Sequence, residues 1–357
     1  MRGIVYDGER LRLTDALAVR DPGPGEVKVR VLRSGICHSD LNMVEAGVIQ
    51  TPVVLGHEAG GEVMALGPGV IEYAVGDRVM VGTQTPCGHC RECARGTPAN
   101  CDVTWGMAAA QPFTWEGRPT YSFSNVSSFA GEIVVKTGQL FPTGDLPPEQ
   151  AALIGCAVST GYAAARRLGQ VGGGDRVIVI GVGGIGVNAI VGAALAGAEV
   201  LAVDLNPAKA PVARDAGAAT FLCASRTTDA ETLAAQWREA FAPIDVAIEC
   251  SGAGIAAEAA ILATKRGGRV VLIGQSAAGA RAGFDLNGVT MGKEIVATLN
   301  GGARPAEDYP ALIALARDRR IDLAGQVTKV WPVAEFEDAI AALHSGAVTR
   351  AVLDHTA

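Results

Sequence analysis

Four cysteines, Cys87, Cys90, Cys93 and Cys101, fall within PCGHCRECARGTPANC, with two, two and seven residues between them. That spacing lets four thiolates converge on one tetrahedral ion, the arrangement of a closed structural zinc site. With every position filled by sulfur, such a lobe contributes stability, about 10–16 kcal/mol of coupled metal binding and folding, and leaves no position for chemistry. An iron–sulfur cluster fits less well. The bacterial cluster run ends in a three-residue gap followed by Pro, whereas here the last cysteine is followed by Asp102. His89 lies inside the lobe, but the cysteines already fill the coordination shell, so a solvated surface position is expected for it.

A second set, Cys37, His57 and Cys156, is scattered along the chain. Two thiolates and an imidazole form a known catalytic zinc set that leaves the fourth position for water or a substrate oxygen. Their segments are expected to meet at the cleft between two domains. Each residue also has an ordinary reading: Cys156 could pack within the apolar AALIGCAVSTGY, and His57 in VLGHEAGG could be a satisfied turn residue. Cys223 in ATFLCAS and Cys250 in VAIECSG end apolar runs and are expected to be core packing.

A third pattern, Gly181, Gly183, Gly184, Ile185 and Gly186, directly follows the apolar run Val177 to Ile180 and precedes a helix of small residues. Glycines here permit a tight turn and close backbone approach, so that the helix N-terminus can face a pyrophosphate. The next strand, EVLAVD, ends at Asp204, placed to accept hydrogen bonds from an adenosine ribose and to repel a ribose phosphate, hence NAD over NADP. The alternative is that Asp204 caps the turn that follows it.

These groups need a scaffold. In 357 residues, 49% apolar with 46 glycines, there is room for two domains with separate cores. Residues 1 to about 80 alternate β-branched runs with Gly and Pro turns, indicating a mainly antiparallel β domain. Residues 102–131 hold Trp105, Phe113, Trp115, Tyr121 and Phe123 without clear periodicity and are expected to form a long ordered loop. From about 151 the chain alternates helices with the runs RVIVIGVG, EVLAVDLN, VAIECSG and GRVVLIG, the pattern of a doubly wound parallel sheet. After about 299 come helix, short strand, helix and a last strand, RAVLD, expected to return to the first domain. The net charge of −7 has no basic block, so neither nucleic acid nor an anionic membrane is expected as partner. Eight cysteines in a chain this long, beginning without a signal-like apolar core, indicate reduced thiols available to metal and a soluble cytoplasmic protein.

The segments GICHSD, GHEAGGEV, the four-cysteine lobe, GCAVSTGYAAA and GVGGIG occur in the order found in the zinc-dependent medium-chain alcohol dehydrogenases, and the chain resembles that family over essentially its whole length. The resemblance implies an α/β protein: a discontinuous GroES-like β-rich catalytic domain (1–157 and 299–357) and a Rossmann doubly wound coenzyme domain (158–298). It implies that Cys37, His57 and Cys156 are ligands of a catalytic zinc, the four-cysteine lobe holding a second, structural zinc. It places Ser39 at the hydroxyl that takes the substrate proton, Asp40 behind the zinc-bound histidine and Glu58 beside the metal. Thr160 matches a nicotinamide-side contact, Lys209 the adenosine-ribose lysine and Arg350 an arginine that pairs with pyrophosphate. A homodimer, or a homotetramer as a dimer of dimers, is implied through the region FDLNGVTMGKEIVATLNGG.

Two positions depart from the family pattern. Asn42 stands where the proton relay often ends in histidine, so the proton is expected to leave through water or through His38, which also occupies a common pyrophosphate-contact position. Thr83 stands where an aromatic ring often narrows the substrate channel, and Trp105 or Trp115 could refill that space. The implied activity is reversible oxidation of primary or secondary alcohols to aldehydes or ketones by NAD, through a zinc-bound alkoxide. If zinc acts on an alcohol as it acts on water, it supplies about 12 kcal/mol toward losing the proton. A formaldehyde-type dehydrogenase acting on a thiol adduct is the neighbouring alternative, and a non-catalytic zinc- and dinucleotide-binding protein the distant one. A polyol dehydrogenase fits less well, because its metal site commonly carries glutamate where this chain has Cys156.

Overall fold

The computed structural model describes residues 1–225, 229–277 and 279–357. The chain divides into two compact units, Met1–Cys156 with Arg304–Ala357, and Ala157–Ala303.

The first unit is built around one long strand, Glu26–Ile36, in which Val27, Val29 and Val31 are buried and alternate with polar residues. Period-two burial of this kind gives a strand with one face on a core. One edge pairs antiparallel with Glu58–Leu66; the other meets Glu132–Lys136 along its first half and Arg350–Asp354 along its second. The strands Arg78–Val81 and Leu140–Pro142 extend this seven-stranded sheet on one side and Val327–Pro332 on the other. A six-stranded sheet runs in the order Leu11–Thr14, Gly3–Tyr6, Val53–Val54, Arg118–Ser122, Phe113–Trp115, Leu17–Val19. Ile4, Val29, Val31, Leu55, Phe129, Ile133 and Trp331 belong to the core these strands share. The C-terminal segment follows its expected sequence of elements, helix Pro305–Arg317, strand Val327–Pro332, helix Phe336–His344 and strand Arg350–Asp354, and the last strand completes this sheet.

Residues 102–131 are not the long loop that their lack of periodicity suggests. They contain a short helix, Asp102–Gly106, and a β-hairpin of Phe113–Trp115 with Arg118–Ser122. The hairpin closes through Glu116 and Gly117, both left-handed at φ 51° and 78°, as a two-residue turn twisted to match its strands requires. Trp115 is buried in the core under the guanidinium of Arg118, 4.3 Å from its ring centroid. Its indole is therefore committed to packing and not to a substrate channel.

The second unit carries a six-stranded parallel sheet in the order Thr220–Cys223, Glu199–Asp204, Arg176–Ile180, Val246–Glu249, Arg269–Leu272, Glu294–Val296. The strand order reverses at Arg176–Ile180, the doubly wound arrangement in which ligands bind beyond the carboxyl ends of the strands. Val177 and Val179 feed one apolar layer while Ile178 and Ile180 feed the other, so this strand is buried on both faces, as parallel sheets demand. Thr220–Cys223 is an edge strand, and Cys223 is exposed there and not packed in a core. Among the described residues, no helix is long and apolar enough to cross a membrane.

Trp237, on helix Ala230–Phe241, is 1% exposed in the layer fed by Ile178 and Ile180. Trp237→Ala is expected to destabilise the protein by roughly 3–5 kcal/mol, read as a lower urea midpoint; an unchanged midpoint would show that this layer does not support the sheet.

Candidate active site and metal centres

Strand register assembles the candidate metal-ligand set. Gly35 faces Glu58 across one edge of the central strand, and Ile36 faces Ala351 across the other. Cys37 leaves the end of that strand, His57 immediately precedes the strand beginning at Glu58, and Arg350 opens the last strand. Cys37 also begins helix His38–Glu45, whose first turn carries Ser39 and Asp40. Cys156 arrives from a widened, π-helical turn, Ile154–Val158, a local insertion that often marks functional positions. The ligand atoms of Cys37, His57, Glu58 and Cys156 all lie within 4.8 Å of one another.

Hydrogen bonds fix these side chains. Asp40 Oδ1 lies 2.7 Å from His57 Nδ1, and Asp40 Oδ2 accepts from the Cys37 backbone N–H at 3.0 Å. A proton held on Nδ1 leaves the lone pair of Nε2 for a metal, as is usual for ligating histidines. Nε2 is 3.2 Å from Cys156 Sγ, and Ser39 Oγ is 3.2 Å from Cys37 Sγ and 3.4 Å from Nε2. The hydrogen bond with Cys156, helped by the charges of His57 and Arg350, holds the Cys37 thiol well below its ordinary range, while the same bond and burial push Cys156 well above it. Burial disfavours the His57 cation, but Asp40 and Cys37 together more than offset this and raise its pKa.

Glu58 is fully buried and shares one carboxylate oxygen with the guanidinium of Arg350, itself 4% exposed. Its other oxygen, Oε1, is buried without a hydrogen-bond partner. A Cβ on residue 35 would stand 1.9 Å from Glu58 Oε2, so only glycine allows this carboxylate to lie across the strand. Two sulfurs, one oriented imidazole nitrogen and an orphaned buried carboxylate oxygen are a donor set that a zinc ion fits.

The four-cysteine lobe also fits its ion. Sulfurs placed tetrahedrally at about 2.3 Å from zinc stand about 3.8 Å apart; Cys87 and Cys93 Sγ are 4.0 Å apart and Cys90 and Cys101 Sγ 3.9 Å. Backbone N–H groups already point at the sulfurs, Cys87 N to Cys101 Sγ at 3.3 Å and Cys90 N to Cys87 Sγ at 3.2 Å. Burial would raise Cys101, yet such backbone donors bring it down to about 6, while burial pushes Cys93 up to about 12. His89 is exposed, bonded to the Cys87 carbonyl.

In the second unit, Gly181 takes φ +90° at the end of its strand, and a Cβ on Gly186 would fall 1.8 Å from the Gly181 carbonyl. The helix Gly184–Leu195, which includes Ile185, starts at Gly183 and has no side-chain cap, so its first N–H groups remain available to an anion. Asp204 accepts from Val182 N at 2.7 Å and from Asn206 N at 2.9 Å. It thus caps the turn that follows it, as the alternative sequence reading has it, and also braces the glycine loop. Thr160 is buried on helix Ser159–Ala163, and Lys209 ends the short turn Pro207–Lys209. In the first unit, His38 faces His344 with ring centroids 6.2 Å apart, and burial lowers its pKa.

Sequence reasoning missed two contributors. Phe123, noted only as an aromatic residue of a loop, meets His57 edge-on with centroids 5.8 Å apart. Asn125 donates to the Thr83 and Thr104 carbonyls at 3.2 and 3.0 Å. The cluster of Ser and Asn in FSNVSS was the available signal, since those residues favour turns with local side-chain bonds.

Removing one buried partner while leaving the other charged is costly, so Arg350→Ala is expected to destabilise by roughly 3–5 kcal/mol, and Arg350→Ala with Glu58→Gln to recover part of that loss in thermal melts. Cys156→Ser should lose one bound zinc and Cys101→Ser the other, measured by metal analysis of the purified variants; equal metal content in all three proteins would contradict the assignment.

Residues 23–145 match the family described as Alcohol dehydrogenase GroES-like domain, and residues 184–318 match Zinc-binding dehydrogenase. Alcohol dehydrogenase-like 6 of Arabidopsis thaliana is 31% identical over 97% of this chain and 93% of its own length. An NDMA-dependent alcohol dehydrogenase of Amycolatopsis methanolica is 31% identical over 96% and 95%. Among solved structures, an alcohol dehydrogenase zinc-binding domain protein from Burkholderia ambifaria superposes with TM-score 0.90 at 28% identity, covering 99% of this chain and 98% of that one. Benzyl alcohol dehydrogenase from Acinetobacter calcoaceticus gives TM-score 0.89 at 26% identity with the same coverage. Two side-chain clusters able to hold a metal on a GroES-like unit, a doubly wound unit and full-length relatives place this chain in the zinc-dependent medium-chain alcohol dehydrogenase family of oxidoreductases.

Proposed function

We propose that the protein oxidises primary or secondary alcohols to aldehydes or ketones, reversibly, by hydride transfer to NAD. The observation that carries this reading is the Ser39 hydroxyl, 3.2 and 3.4 Å from two members of the Cys37, His57 and Cys156 set. Zinc held by those three residues supplies Lewis-acid polarisation of an alcohol oxygen. Ser39 Oγ accepts the hydroxyl proton, and Asp40 keeps His57 in the tautomer that leaves Nε2 free. Asn42 cannot carry a proton onward, so the proton leaves through water or His38. Glu58, held by Arg350, places negative charge beside the site.

For the coenzyme, Gly181, Gly183, Gly184, Ile185 and Gly186 give close backbone approach to a pyrophosphate. Asp204 has its remaining acceptor capacity for ribose hydroxyls and would repel a ribose phosphate, with Lys209 and Thr160 as further contacts. Arg350 can offer a pyrophosphate only the donors not spent on Glu58. Thiolate centres of this kind suit a reducing cytoplasmic compartment. A homodimer, which could pair into a tetramer, is supported by the exposed Phe284, Leu286, Met291 and Leu299 around the edge strand Glu294–Val296.

Two variations of the reaction remain in view. A thiol adduct of an aldehyde could be the oxidised species, and the likeness to an NDMA-dependent relative raises a second electron acceptor. A protein that only binds zinc and dinucleotide is disfavoured by the presence of Ser39 together with all three ligands.

The test is nicotinamide reduction by zinc-loaded protein on linear, branched and aromatic alcohols, with NAD or NADP, each with and without added thiol and NDMA. Turnover with NAD on simple alcohols is expected, with Ser39→Ala lowering kcat on the order of 10²–10⁴-fold and Asp204→Ala narrowing the preference for NAD. Turnover only with thiol would replace the substrate, NADP preferred by the wild type would overturn the role of Asp204, and coenzyme binding without turnover would leave a binding protein.

A further inference from the structure

The segment between the hairpin and strand Glu132–Lys136 holds an unusual concentration of left-handed backbone: Ser124, Asn125 and Ser127 take φ 48°, 63° and 61°. Residues with side chains adopt this region only where their surroundings determine it. Here Asn125 supplies one part of that determination. Its amide NH2 donates to the carbonyls of Thr104 at 3.0 Å and Thr83 at 3.2 Å, and two carbonyl acceptors fix which end of the amide faces them. Its own backbone carbonyl accepts from Gln139 Nε2 at 3.0 Å, a fully buried amide that also donates to the Gly82 carbonyl at 3.0 Å.

Each end of this turn reaches a metal centre of the same unit. Thr104 lies in the helix that begins after Cys101, and its hydroxyl accepts from the Thr85 backbone N–H at 3.1 Å, so the four-cysteine lobe sets the height of the carbonyl that Asn125 grips. On the other side, Phe123 N donates to Ser127 Oγ at 2.9 Å, while Ser128 N and Phe129 N donate to the carbonyls of Gly56 and Leu55 at 3.0 Å each. The turn is thereby locked to the residues that immediately precede His57, and Phe123 lies edge-on against its imidazole at 62°. Asp40 holds one nitrogen of that ring; Phe123 limits its swing.

We propose that Asn125 is a positioning residue that ties the four-cysteine lobe to the catalytic ligand set, by holding the left-handed turn that seats Phe123 against His57. This rests on the reading of Cys37, His57 and Cys156 as metal ligands. Groups that orient a ligand without touching the ion commonly alter metal retention, so loosening the turn should speed loss of the ion held with His57 and spare the ion in the lobe.

The experiment follows transfer of zinc to a coloured chelator from wild-type holoenzyme, Asn125→Gly, Phe123→Leu and the double variant, with Cys156→Ser marking the lobe's ion alone. Glycine tolerates φ 63°, so Asn125→Gly removes the side chain without adding backbone strain. Either single variant is expected to accelerate loss of the catalytic ion about tenfold, at a nearly unchanged rate from the lobe, and the double variant to be no faster than the singles. Release from Asn125→Gly at the wild-type rate would overturn the proposal. So would equal acceleration from both centres with a fall in melting temperature, or additive effects in the double variant. A wild type that carries one zinc only would instead overturn the catalytic-set reading on which the proposal stands.

Discussion

The pairing register of strand Glu26–Ile36 is the constraint on which the active site depends. Gly35 opposite Glu58 and Ile36 opposite Ala351 bring Cys37, His57, Glu58 and Arg350 to one point from three places in the sequence. Because side chains alternate faces along a strand, a slip of one residue would turn Glu58 away from the cluster and separate Cys37 from His57. The buried Val27, Val29 and Val31 hold that register from the core side. The same sheet closes with the C-terminal strand, so the fold must be complete before Arg350 can meet Glu58.

The site so assembled is electrostatically demanding. A buried carboxylate has one oxygen on Arg350 and the other orphaned, and two thiols are held unequally, Cys37 well below and Cys156 well above the ordinary thiol range. A divalent cation answers both conditions at once by giving the orphaned region a positive charge and both sulfurs a reason to be deprotonated. The lobe meets the same demand differently, with backbone N–H groups already directed at its sulfurs. Asp40 and Phe123 contact the His57 ring as those amides contact the cysteine sulfurs, one by a hydrogen bond and the other edge-on.

Much of this was legible in the sequence, for physical reasons. Metal thiolates need cysteines at short spacings, and a pyrophosphate at a helix N-terminus needs glycines after an apolar strand, so Cys87 to Cys101 and Gly181 to Gly186 announce themselves. Runs of β-branched residues likewise indicated a β-rich unit and a separate parallel sheet. What escaped was set by contacts distant in sequence or by a single turn. The Glu58 and Arg350 pair spans 292 residues, and no local pattern reports it. The hairpin at Phe113–Ser122 rests on Glu116 and Gly117 alone, too short a signal against an aperiodic background. Cys223 looked like a core residue because its strand is apolar, yet the strand lies at a sheet edge, where one side remains open to solvent.

The central claim is that Cys37, His57 and Cys156 hold a zinc with a position left for substrate, beside Ser39. Anomalous diffraction at the zinc edge from crystals of the metal-loaded protein tests it most directly. Two peaks are predicted, one surrounded by the four sulfurs of Cys87, Cys90, Cys93 and Cys101, the other bonded to Cys37 Sγ, His57 Nε2 and Cys156 Sγ with a non-protein oxygen or Glu58 completing the shell. A single peak at the lobe, or a second peak away from these three atoms, would contradict the account.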